Sequence, residues 1–147
     1  MRGLKWGFGF LVMVCAGAAQ SAYADGSVSS LGMGRGASND AEFRRYEAVV
    51  AEYNKSGERF RIDANCRSAC TMFLGIRNVC VSPGATLEFH AGGSMGRIIP
   101  DKTRRMQARY NGKLRSFINA NHYMDTFDFH AISGSDLINR FGYKACS

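Results

Sequence analysis

Between residues 40 and 54, Phe43, Tyr46, Val50 and Tyr53 recur at three- and four-residue spacing, which gathers them on one helical face. Asn39 precedes that run and Glu42 lies three residues further on, the form of a capping box, while Gly57 supplies a C-terminal stop. The period then drops to two. Phe60, Ile62 and Ala64 alternate with Arg59, Arg61 and Asp63, the pattern of a half-buried strand over residues 59–64. A short helix over 68–76 is predicted to bury Ala69, Met72, Phe73 and Ile76, and short strands are predicted over 79–82 and 86–90, around Pro83-Gly84. Helical spacing returns over 103–121, with Met106, Tyr110, Leu114, Phe117 and Ile118 on one side and Gly112 in the middle. The Gly/Ser-rich stretch 25–38 has room for a strand near 28–33 and then a glycine turn; Gly92, Gly93 and Gly96 mark a mobile loop. Residues 124–141 read as a strand or loop and a short helix opened by Ser133.

Strands alternating with helices predict an α/β fold, a single domain with a small, mainly parallel sheet, because parallel neighbours need a crossover between them. No repeat or low-complexity linker divides the chain. Residues 1–24 have the form of a signal peptide: Arg2 and Lys5 are the basic start, an apolar run extends from Trp6 to Ala19, and Ala22-Tyr23-Ala24 is the cleavage site. The run is too short for a membrane span, and Val14 before Cys15 does not fit a lipid-attachment signal. The expected mature domain is therefore 25–147, in the periplasm or outside the cell.

Removing the leader leaves 17 basic residues against 12 acidic ones, a net charge of +5. The basic residues are scattered, as on an ordinary solvated face, and nucleic acid is not an expected partner. Four cysteines remain: Cys66, Cys70, Cys80 and Cys146. In an exported domain that number implies two disulfides, with three pairings open. The C-x3-C spacing matches neither a compact zinc pattern nor a redox C-x-x-C motif, and no metal or other cofactor is expected. Cys146 is expected to staple the C-terminus to the body. No phosphate-binding P-loop pattern occurs.

The chemistry concentrates at Ser68 and His90. A serine at the first turn of a helix lies beside free backbone N–H groups that can hold an oxyanion, and a histidine at the end of the next strand can act as its base. The structural alternatives are an N-cap role for Ser68 and a backbone hydrogen bond for His90.

The glycine turn and helix over 34–54, the strand 60–64, the segment Cys66-Arg67-Ser68-Ala69-Cys70-Thr71 and Phe89-His90 together resemble the Clp protease/crotonase superfamily, close to its small exported bacterial members. The resemblance covers 34–92 and implies that Ser68 is the nucleophile and His90 its general base, 22 residues on. It further implies an oxyanion hole made by the amides of Ala69 and Gly36, although Gly34-Arg35-Gly36 stands where the family usually carries paired glycines. Asp125, Asp128 and Asp136 are candidates for the acid, and Asp136 has the closest spacing; Glu88 shares a strand face with His90. The function implied is that of a serine peptidase or hydrolase acting on a peptide or other acyl substrate, with self-association into a homo-oligomer. The alternative is a catalytically inactive relative, an envelope-binding or structural domain that uses the loop 92–96 with Arg97, Arg104 and Arg105.

Overall fold

A computed structural model describes residues 25–147; the expected signal peptide, 1–24, lies outside the described residues. The first strand, β1 (Gly26–Ser27), comes earlier than the pattern indicated, and the expected strand over 28–33 is replaced by a helical turn, α1 (Val28–Leu31). Ser27 and Ser30 form a reciprocal capping box there, which commits this segment to a turn of helix. The long helix α2 (Asp40–Ser56) starts at Asn39, whose side chain accepts from the Glu42 N–H, and ends at Gly57 with a φ of 75°. Glu42 does not complete the expected box; its carboxylate accepts from the N–H and hydroxyl of Ser38 instead.

Next come β2 (Phe60–Ile62), β3 (Cys66–Arg67), a 3-10 helix over Ser68–Gly75, β4 (Val79–Val81) and β5 (Thr86–Phe89). The expected loop over 92–96 is a hairpin: β6 (Gly93–Ser94) and β7 (Arg97–Ile98) pair across Met95 and Gly96, whose φ values of 49° and 73° suit a tight two-residue turn. The single helix expected over 103–121 is two, α3 (Pro100–Gln107) and α4 (Gly112–Ala120). Asn111 breaks it, because its side chain caps α4 through the Leu114 N–H and donates to the Phe141 carbonyl. The chain closes with β8 (His130–Ser133), α5 (Gly134–Asn139) and β9 (Lys144–Ala145).

The larger sheet has the order β1-β2-β4-β9 with every pair parallel. The smaller one is β3-β5-β8, in which β3 and β5 are parallel and β8 is antiparallel. Helix α2 packs on the 3-10 helix through an aromatic column, Tyr46 to Phe73 to Phe60 to Tyr53, with centroid spacings of 5.4, 4.6 and 4.9 Å. The four cysteines pair as Cys66–Cys70 and Cys80–Cys146. The second bond fixes the segment carrying β9 to β4, as expected for Cys146.

Candidate active site

Strand β3 ends at Arg67 and the chain turns at once into the 3-10 helix, with Ser68 at the turn in a left-handed backbone conformation, φ 56°. Such a conformation costs a non-glycine residue about 1–3 kcal/mol and persists where the surrounding structure imposes it. Three contacts surround it here. The Cys66–Cys70 disulfide brackets the turn. The Ser68 carbonyl accepts a 2.7 Å hydrogen bond from the Thr71 hydroxyl. Ahead of the turn, the Arg67 N–H donates to the Gly34 carbonyl at 2.9 Å. Ser68 is not the cap of this helix: Arg67 occupies that position, with no side-chain capping bond. The half-buried Ser68 hydroxyl is thus not spent on capping.

The glycine turn packs directly against this serine. A Cβ at Gly36 would lie 2.8 Å from the Ser68 Cβ and 3.3 Å from its Oγ, and Gly36 also has a φ of 85°. Both the space and the backbone therefore require glycine. The Gly36 backbone also interacts with the Tyr46 phenol, opposing the rise that burial imposes on its pKa; the phenol in turn donates to the Met33 carbonyl at 2.9 Å. The structure thus brings Gly36 to Ser68. Ala69, the other expected oxyanion donor, comes directly after Ser68 in the first turn of the helix and is buried.

His90 is the residue after the last of β5. The parallel register Cys66 to Leu87 and Arg67 to Glu88 makes Ser68 and His90 leave the carboxyl ends of neighbouring parallel strands, where open α/β sheets place their ligands. The imidazole packs edge-on to Phe129 at 4.8 Å and near Phe127 at 6.0 Å. Its Nδ1 is buried without a hydrogen-bond partner. Burial pushes its pKa below the ordinary 6.5; the Ala91 backbone works against this, the Arg67 charge adds to it, and the Glu88 carboxylate opposes it. The ring is accordingly neutral at neutral pH, the form a general base needs. Among the described residues no hydrogen bond joins it to Ser68.

The acid lies elsewhere than the spacing of Asp136 suggested. Strand β8 runs antiparallel to β5, pairing Ser133 with Thr86 and His130 with Phe89, so α5 and Asp136 start from the end of β5 remote from His90. The Asp136 N–H takes the Ser133 cap and its carboxylate lies 3.8 Å from Arg140. Asp125 is bound to His122 at 2.7 Å and Asp128 to the Thr126 hydroxyl at 3.1 Å. Glu88, on the strand of His90, is held by Arg67 at 2.7 Å, and that guanidinium lies over Phe129, 4.6 Å from its centroid. Beside this pair a hollow of about 590 Å³ opens between the glycine turn and β3, lined by Gly34, Arg35, Ala64, Asn65, Arg67 and Glu88.

No protein-family model, curated protein or solved structure matches this chain. A serine at a strained strand-to-helix turn, early helix amides and a neutral imidazole at the end of the adjacent strand are the parts that acyl transfer uses. The described residues contain no group of three or more His, Cys, Asp or Glu side chains placed to hold a metal ion, and no helix long and apolar enough to cross a membrane. Sequence reasoning passed over Thr71, Tyr110 and Phe129. Of these, Thr71, three residues after Ser68, had a local signal, since that spacing lets a hydroxyl reach back to the carbonyl.

Proposed function

We propose that this chain is an exported serine peptidase or hydrolase of Clp/crotonase-like fold, with Ser68 as nucleophile and His90 as general base. The observation that carries the reading is the left-handed Ser68 at the strand-to-helix turn, with Gly36 packed so closely that no side chain fits between them. Ser68 Oγ attacks the carbonyl carbon of an amide or ester while a nitrogen of His90 takes its proton. The Ala69 and Gly36 N–H groups donate to the resulting oxyanion. The same proton then passes to the leaving amine or alcohol, and water releases the acyl group from Ser68 by the reverse sequence. The reaction needs no cofactor. The substrate is a peptide or other acyl compound, met in the periplasm or outside the cell, and copies of the chain associate to complete the substrate chamber.

A second reading is favoured by one specific observation. His90 has no carboxylate partner among the described residues, and its Nδ1 is buried and unpaired. An inactive fold that binds envelope components fits that arrangement as well. Labelling of the oxidised protein with a fluorophosphonate separates the two. The enzyme reading expects a covalent adduct on wild type that is lost in both Ser68→Ala and His90→Ala. A folded wild type without an adduct would leave the binding domain as the reading to keep.

A further inference from the structure

Below Ser68 lies a buried polar pair that the proposed chemistry does not use directly. Thr71 is fully buried, and its Oγ1 donates to the Ser68 carbonyl at 2.7 Å and lies 2.6 Å from the Tyr110 hydroxyl. A threonine hydroxyl has one hydrogen, and a carbonyl can only accept. The proton of Thr71 is therefore committed to Ser68, and Tyr110 must donate to Thr71. Tyr110 is buried too, and burial drives its pKa up, so its proton stays in place throughout the working range of pH. Its ring packs edge-on to Phe89, 5.4 Å between centroids, one residue before His90.

We propose that Thr71 is a positioning residue that holds the Ser68 backbone in its left-handed conformation and thereby aims its hydroxyl, with Tyr110 as the buried donor to the Thr71 oxygen. The inference rests on the reading of Ser68 as a nucleophile. The Arg67–Gly34 bond and the Cys66–Cys70 disulfide hold the chain on either side of the turn, whereas the Thr71 hydroxyl bonds the Ser68 carbonyl itself. Through Phe89 the same pair ties the serine turn to the strand that delivers His90, so nucleophile and base share one rigid support.

The test is the rate of fluorophosphonate labelling at Ser68, measured against pH. Thr71→Val alone leaves the Tyr110 hydroxyl without an acceptor and risks the fold, so the decisive variant is Thr71→Val/Tyr110→Phe, which removes both hydroxyls and leaves the carbonyl of half-buried Ser68 as the group that loses a donor. The double variant is expected to melt near the wild type yet label at least tenfold more slowly, with the midpoint of its pH profile unmoved because His90 is untouched. Thr71→Ser keeps the hydroxyl and is expected to stay within about threefold of wild type. Tyr110→Phe keeps the Thr71 bond to Ser68 and is expected to do the same. A folded double variant that labels at the wild-type rate overturns the inference, as does a loss that Thr71→Ser does not rescue. A wild type that never labels sinks the nucleophile reading itself, and the positioning role with it.

Discussion

Ser68 and His90 each carry a locally unfavourable feature. Ser68 has a backbone that other residues avoid, and His90 carries a buried nitrogen that no group satisfies. Each feature works against stability, and each belongs to a residue with a proposed role in acyl transfer. Burial lowers the pKa of His90, so labelling at Ser68 should rise with a midpoint below 6.5 and be flat through neutrality. Stability tracks the same proton. The unfolded chain binds it first as pH falls, so the contribution of a neutral His90 is intact above 6.5 and is lost as pH falls from there to the lowered folded value. Urea titrations across that range, beside His90→Ala, measure the difference, and identical curves for the two proteins would contradict it. Gly36→Ala adds a clash with Ser68 to a positive φ. A loss of roughly 2 kcal/mol or more is expected, together with loss of labelling.

At the scale of elements, an aromatic column joins α2 to the 3-10 helix that begins at Ser68. Phe73 is fully buried between Tyr46 and Phe60, so Phe73→Ala should cost about 3–5 kcal/mol in chemical denaturation. This packing was legible from residues 43, 46, 50, 53, 60 and 73, because periodicity reports which face is buried. The α/β order of strands and helices was legible for the same reason. The break before α4 was not. Periodicity continues from Met106 to Ile118, and only the bonds of Asn111 to Leu114 and to distant Phe141 show why the helix restarts. The hairpin at 93–98 escaped because Met95 and Gly96 make a tight turn with few apolar positions to mark its strands. Ser68 and His90 were legible as candidates from their order along the chain. The remoteness of Asp136 was not, since it depends on β8 running antiparallel to β5.

Across the whole molecule, two disulfides do different work. Cys66–Cys70 spans four positions and clasps a turn, whereas Cys80–Cys146 spans 66 and ties β4 to the segment that carries β9. By chain entropy the longer bond is worth about 4 kcal/mol. Cys80→Ser/Cys146→Ser should lower the urea midpoint accordingly while a folded fraction still labels at Ser68; an unchanged midpoint would count against that value. The placement of β9 also makes the larger sheet depend on the last described residues. β4 finds its second parallel neighbour in residues 144–145, which follow every described helix along the chain. Any fragment that ends before residue 144 leaves the apolar edge at Val79–Val81 open to pairing with other chains. Truncation there would therefore show as aggregation more than as local unfolding. Beyond β9 the chain reaches back across β4 to β2, where Arg61 donates to the Ser147 main-chain oxygen at 3.2 Å.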